Sequence, residues 1–253
     1  MSGASYPSLR SKTVVVTGGG SGIGAAVTEA FARQGSRVFF LDLAEAESRE
    51  LEQSLSAAGT AAKFLPCDLK DIAAIEANFA HIAESAGPIG ALVNNAANDD
   101  RHQLDDITPQ YWDDRIAVNL RHLLFCAKAA VPGMRANGGG SIINFGSVSW
   151  HLALPELVLY QTAKAGIEGM TRALARDLGG NNIRVNCVIP GAVRTPRQVR
   201  LWHKPEEEAR ILEQQCLKQR VLPADVAAMV LFLASDEGRM CTGHSYFVDA
   251  GWR

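Results

Sequence analysis

Along the chain, short runs of β-branched and aromatic residues alternate with longer stretches in which apolar positions recur every three or four residues. Residues 13–17, 37–42, 63–67, 91–95, 141–145, 184–189 and 246–249 read as strands, and 23–34, 44–58, 72–85, 111–136, 159–178 and 224–234 as helices. Alternation of this kind predicts right-handed crossovers and a seven-stranded parallel sheet with helices on both faces, a doubly wound α/β architecture. The uninterrupted apolar run Val14-Val15-Val16 fits a strand buried on both sides. No repeat, low-complexity tract or long linker divides the pattern, so residues 1–253 are expected to form one domain. Two stretches fall outside it: residues 1–11, read as a polar N-terminal extension, and residues 194–222, which open with a polar segment interrupted by Pro196 and Pro205. The second is expected to form a lid over the substrate.

Composition narrows the function class without naming one. The formal net charge is −2 with 21% charged and 47% hydrophobic residues, which implies no broad basic surface and argues against nucleic acid as a partner. The longest apolar run, 226–234, is less than half of what a bilayer requires, so no membrane span is expected. The N-terminus lacks the charged-then-apolar pattern of a secretory signal, and five scattered cysteines without a C-x-x-C pair suit a reducing compartment; a cytoplasmic location is expected. The six histidines show neither an H-x-x-x-H pair nor a Cys/His cluster, and no metal is expected.

Candidate chemistry begins at Thr17-Gly18-Gly19-Gly20-Ser21-Gly22-Ile23-Gly24, which runs from the first strand directly into a helix. In that context glycines allow a tight turn and let backbone N–H groups approach a pyrophosphate at the positive end of the helix, as in Rossmann-like folds. Out of context the same string would be only a turn. The absence of a following Lys-Ser or Lys-Thr argues against a triphosphate loop. Asp42 ends the second strand eighteen residues beyond Gly24, where a carboxylate accepts from ribose hydroxyls and repels a 2′-phosphate; Leu43, not an arginine, follows it. NAD is therefore the expected cofactor. The plain alternative for Asp42 is a cap on the next helix.

Tyr160 and Lys164 are four residues apart on a predicted helix and share one face. A free tyrosine, with a pKa of ~10, is a poor base at neutral pH, and a nearby ammonium favours the phenolate. Ser147 ends the fifth strand and can hold a substrate oxygen while hydride leaves the adjacent carbon. Taken with the glycine string, Ser147, Tyr160 and Lys164 resemble the short-chain dehydrogenase/reductase family across the whole chain. The resemblance implies that Asn119 completes the catalytic group through a water relay and that Lys164 also holds the nicotinamide ribose. It further implies cofactor contacts from Gly18, Ser21, Gly22, Ile23, Gly24, Asp42, Asp68, Leu69, Asn95, Tyr160, Lys164, Pro190, Gly191, Val193 and Thr195, with Val193 reaching the carboxamide through its backbone. Ala97 and Gly146 depart from the family pattern where glycine and serine are usual, and neither removes a catalytic group. Family members are commonly tetramers, so a homotetramer is expected.

Polar loops follow the fourth strand, at Asn98-Asp99-Asp100-Arg101-His102, and the catalytic serine, at Ser149-Trp150-His151. They suit a hydroxyl-rich ligand, with Trp150 or Trp202 available for stacking. These loops, together with Leu120-Arg121-His122 and the ending 241–253, resemble the bacterial aldopentose dehydrogenases of the family. That likeness implies oxidation of D-xylose or L-arabinose at C1 to the aldonolactone. Asn98, Ser147, Ser149, His151, Tyr160 and Trp202 are the expected substrate contacts. The competing expectations are a dehydrogenase or carbonyl reductase of another small polar metabolite, and a non-catalytic NAD-binding sensor.

Overall fold

In the computed structural model, which describes residues 3–252, Val14, Val15 and Val16 are completely buried at the centre of a parallel sheet. The strands are β1 (Thr13–Thr17), β2 (Arg37–Asp42), β3 (Ala62–Pro66), β4 (Ile89–Asn94), β5 (Gly140–Phe145), β6 (Ile183–Pro190) and β7 (Ser245–Val248). They run in the order β3-β2-β1-β4-β5-β6-β7, and every neighbouring pair is parallel. The expected single doubly wound domain is thus present, with each strand end within two residues of the pattern-based reading. The covering helices are α1 (Gly22–Arg33), α2 (Glu45–Ala57), α3 (Ile72–Ala86), α4 (Pro109–Ile116), α5 (His122–Ala136), α6 (Val148–His151), α7 (Val158–Leu178), α8 (Pro196–Leu201), α9 (Pro205–Gln214) and α10 (Pro223–Ala234).

Successive strand residues point to opposite faces, and this alternation sorts the core into two layers. Val14 and Val16 pack with Phe31 of α1 and Val230 and Leu233 of α10. Val15 packs on the other side with Ile75 and Phe79 of α3 and Cys126 and Met134 of α5. Cys67, Cys126 and Cys187 are buried small hydrophobes, whereas Cys216 is exposed; all five thiols are unpaired.

Three expectations change. The stretch 111–136 is not one regular helix: it begins at Pro109, capped by Thr108 Oγ1 on the Tyr111 N–H at 3.1 Å, and a π-turn over Ala117–Arg121 separates α4 from α5. One extra residue in a turn leaves the apolar spacing on either side intact, so periodicity does not register it. In the stretch 194–222, Pro196 and Pro205 each start a helix, because a fixed φ suits the first helical position and its missing N–H is not needed there. The N-terminal stretch is more than a polar extension. Leu9 is wholly buried, the Tyr6 N–H donates to Gln34 Oε1 at 2.9 Å, and Ser36 Oγ donates to the Leu9 carbonyl at 2.8 Å. Residues 1 and 2 of that stretch, and Arg253 of the C-terminal motif, lie outside the described residues.

Leu9→Ala should therefore cost about 2–5 kcal/mol in urea unfolding, as truncation of a buried leucine does. A loss within about 0.5 kcal/mol would return the segment to the status of a surface extension.

Candidate active site

Strand order reverses between β1 and β4, and parallel sheets open a crevice at the carboxyl ends of their strands at such a point. The two strand ends are joined there. Thr17 Oγ1 accepts the N–H groups of Asn95 and Ala96 at 3.1 and 3.2 Å, and the Asn95 side-chain amide donates to the carbonyls of Thr17 and Gly18 at 3.1 and 2.9 Å. Asn95 thus lines the crevice while its amide group holds the glycine turn. Gly18 has φ +63°, and a Cβ on Gly24 would stand 1.8 Å from the Gly18 carbonyl oxygen, so the turn excludes side chains at both positions. Ser21 precedes α1 without capping it through its side chain, leaving the first N–H groups of the helix available to an anion.

One cleft of about 1330 Å³ contains Gly18, Ser21, Gly22, Ile23, Gly24, Asp42, Asp68, Leu69, Asn95, Pro190, Gly191, Val193 and Thr195 in its walls. Asp42 does not cap the next helix, whose N-cap residue Ala44 makes no side-chain cap; it ties the glycine turn to the start of that helix. Its Oδ2 accepts the Gly20 N–H at 2.8 Å and its Oδ1 accepts the Ala44 N–H at 3.0 Å, yet the carboxylate still faces the cleft, with two oxygens able to accept further bonds. The Val193 N–H donates to the Gly191 carbonyl and its own carbonyl accepts from Thr195 N–H, so only a second lone pair of that carbonyl is open to a carboxamide. These features fit a dinucleotide: a side-chain-free turn, an uncapped helix terminus and an acidic strand end in one groove.

Ser147, Tyr160 and Lys164 stand in the same cleft. Ser147 caps α6, its Oγ accepting the Ser149 N–H at 3.1 Å, and Tyr160 and Lys164 project from one face of α7. Lys164 Nζ donates to the Phe145 carbonyl at 2.8 Å and lies 5.4 Å from the Tyr160 ring centre. Burial pushes the Lys164 ammonium down to about 8. Tyr160 does not have the lowered acidity threshold expected from its lysine. Burial and then the Asp99 carboxylate raise its pKa, while hydrogen bonding with Ser147 and the Arg197 guanidinium oppose them.

Asn119 is not in the cleft wall. It is wholly buried in the π-turn, where Oδ1 accepts the Asn98 N–H at 2.8 Å and Nδ2 donates to the Asn98 carbonyl at 3.1 Å. Its side chain therefore holds the loop after β4. The π-turn supplies the displacement that lets a helical residue reach that loop. His122, just beyond, is completely buried; burial first, and then Lys164, push it down to about 3, so it is neutral.

Of the expected substrate contacts, Asn98, Ser149 and Trp202 line the cleft with Ser147 and Tyr160. The Trp202 indole N–H is buried and unpartnered. His151 does not line the cleft. Its Nε2 lies 3.0 Å from Glu168 Oε1 and its ring stacks on Trp150 at 3.8 Å, and Trp150 lines a separate recess. One turn of helix rotates 148–151 so that Ser149 faces inward and the next two residues outward. Sequence reasoning missed Arg101, whose guanidinium lies 4.7 Å from the Trp202 ring centre, and the pairing of Asp99 with α8. Arg197 pairs with Asp99 and, at 2.8 Å, with Asp100, and Gln198 Nε2 donates to Asp99 Oδ2 at 2.7 Å. Ninety-odd intervening positions hide these pairings from any local pattern.

A family model described as enoyl-(acyl carrier protein) reductase matches residues 18–253. The chain belongs to the short-chain dehydrogenase/reductase family. Members of this family are oxidoreductases that use nicotinamide cofactors. The chain is 60% identical to "D-xylose 1-dehydrogenase" of Caulobacter vibrioides (strain NA1000 / CB15N) over all of both proteins. It is 47% identical to "Probable galactose dehydrogenase GalD" of Rhizobium meliloti (strain 1021), covering 97% of this chain and 96% of the relative. The solved structure of a short-chain type dehydrogenase/reductase from Mycobacterium ulcerans superposes with a TM-score of 0.91 at 24% identity, over 98% of this chain and 91% of that one, and shares the fold. Among the described residues, no helix is long and apolar enough to cross a membrane.

Within this short-chain dehydrogenase/reductase site, the buried Lys164 carries a testable stability cost. Its folded-state pKa, about 8, lies below the ordinary lysine value of 10.5, so between these two the unfolded chain binds more protons and stability rises with pH. Against Lys164→Met, the wild type should gain stability from about pH 8 to 10.5 in urea titrations. A flat or opposite difference would mean that the ammonium is solvated.

Proposed function

We propose that this chain oxidises an aldopentose, D-xylose or L-arabinose, at C1 to the aldonolactone, with NAD as hydride acceptor and Tyr160 as general base. The observation that carries this reading is one cleft in which Ser147, Tyr160 and Lys164 stand beside a polar wall of Asn98, Asp99 and Ser149 and the unpartnered indole N–H of Trp202. A sugar offers many hydroxyls to such a wall, whereas an acyl chain needs an apolar one. The full-length likeness to a D-xylose 1-dehydrogenase supports the same substrate class.

In this mechanism Ser147 Oγ donates to the C1 oxygen and fixes it beside Tyr160. The bound cofactor supplies a positively charged nicotinamide ring that accepts hydride. The phenolate of Tyr160 takes the hydroxyl proton as hydride leaves C1, and the C1–O single bond becomes the lactone carbonyl. Burial favours the protonated phenol and the Arg197 guanidinium opposes it; in this reading the Lys164 ammonium adds to that opposition and favours the phenolate. Lys164 also holds the nicotinamide ribose in this reading. Asn119 acts by fixing Asn98 and the π-turn, whose backbone carries the water of the proton relay. Asp42 accepts from the adenosine ribose hydroxyls, with Asp68 and Leu69 beside the adenine. In this reading Trp202 donates its N–H to a sugar hydroxyl, and Arg101 lies over its ring. Residues 194–222 form the lid, held down by the ties from Arg197 and Gln198 to Asp99.

The likeness to a galactose dehydrogenase favours a second reading, in which a hexose or another small polar alcohol is preferred.

A sugar panel read by NADH absorbance should give the highest kcat/KM on an aldopentose, and activity on ketones or apolar alcohols alone would overturn the proposal. With the best sugar, Tyr160→Phe should lower kcat by about 10²–10⁴-fold while NADH affinity stays within about twofold. Near-normal turnover would remove Tyr160 from the role of base. Asp42→Ala should narrow the preference for NAD over NADP by roughly tenfold, the equivalent of ~1.4 kcal/mol. An unchanged ratio in steady-state kinetics would leave Asp42 only its structural bonds to Gly20 and Ala44.

A further inference from the structure

We propose that Glu168 is a positioning residue that ties the catalytic-serine turn to the helix bearing Tyr160 and Lys164, and so sets the separation of Ser147 from the base. The inference rests on the roles proposed above for Ser147 and Tyr160.

Glu168 follows Lys164 by four residues and Tyr160 by eight, so the three lie along one side of α7, a helix of 21 residues. Its side chain is only 17% exposed and gathers donors from two other elements. Trp150 Nε1–H donates to Oε1 at 2.6 Å and Ser245 Oγ donates to Oε2 at 2.8 Å. His151 Nε2 lies 3.0 Å from Oε1. A carboxylate only accepts, so this ring nitrogen carries the proton and donates as well. Three donors converging on one side chain require an acceptor with several lone pairs, which a hydroxyl could not provide.

The consequence for Ser147 follows from what holds α6, whose Val148 packs in the core with Ile167 and Ile189 and whose outer end reaches Glu168. This helix is a single turn of four residues, too short to be stable alone. One end is Ser147, attached to β5 and capping the turn through the Ser149 N–H. The other end, Trp150-His151, stacks at 3.8 Å and is fastened to Glu168. Ser245 brings the edge strand β7 to the same carboxylate. Ser147 is therefore clamped from both sides, and the outer clamp is rooted in the helix that carries its reaction partner. A misplacement of ~1 Å can cost on the order of 100-fold in rate, so a clamp outside the cleft can govern turnover.

The test uses the full chain with Glu168→Ala, Glu168→Gln and Trp150→Phe. Glu168→Ala should lower kcat by about 10–100-fold with NADH affinity unchanged, and amide exchange in 147–153 should accelerate while that of 160–178 does not. Glu168→Gln should restore most of the rate, because its carbonyl accepts from Trp150 and its amide donates to the Ser245 hydroxyl. Trp150→Phe should lower kcat, and combined with Glu168→Ala it should add little. Glu168→Ala with kcat within twofold of wild type and unchanged exchange in 147–153 would overturn the proposal. So would parallel losses of melting temperature, NADH affinity and exchange protection throughout the chain, with no rescue by Gln, because those mark a general structural role. If the wild type oxidises no aldose, the proposed substrate fails; the kinetic arm then uses whichever alcohol is oxidised, and the exchange data judge Glu168 without any substrate.

Discussion

The approach of Gly24 to the Gly18 carbonyl constrains everything at the carboxyl end of the sheet. A side chain at Gly24 would begin 1.8 Å from that oxygen, so α1 can start directly beneath the end of β1 only if the position is bare. The same carbonyl accepts from the Asn95 amide, which fastens the end of β4 to the end of β1 where the strand order reverses. From this junction the crevice widens in two directions, toward Asp42 and Asp68 on one side and toward Ser147, Tyr160 and Lys164 on the other. Loss of the junction would separate the two halves of the cleft even if both layers of core survived.

The second organising feature is one buried charge, Lys164, and a partly exposed ion pair near it. Lys164 is held by the Phe145 carbonyl in a site that disfavours its charge, beside a tyrosine whose phenolate the same burial disfavours. Asp99 is set against Arg197 at the mouth of the cleft. A charge placed near the buried Lys164 acts at short range with little screening, so it can shift a proton there far more than it would at the surface. Glu168 illustrates the complementary strategy. Its carboxylate accepts from Trp150 and Ser245 and lies outside the cleft.

The architecture was legible because strand alternation and helical periodicity are consequences of burial, and burial is written in residue type. Val14-Val15-Val16 read as doubly buried and is. The π-turn at Ala117–Arg121 was not legible, because a one-residue expansion leaves the apolar positions before and after it in phase with their own surroundings. Leu9 was lost in a polar stretch because a lone buried leucine has no periodicity. Pro196 and Pro205 were read as breaks, since proline marks a helix start and a helix stop with the same letter.

By itself the sequence determined the order of elements, the side-chain-free turn, the acidic end of β2 and the spacing of Tyr160 and Lys164, all of them local consequences of backbone geometry. Only the tertiary structure decided which polar residues face the cleft. It turned His151 and Trp150 outward to Glu168, kept Ser149 inward, set Asn119 behind the wall against Asn98, and brought Arg197 to Asp99. A side chain's direction at the end of a strand depends on the rotation of one short turn and on partners far away in the chain, and neither leaves a mark on neighbouring positions.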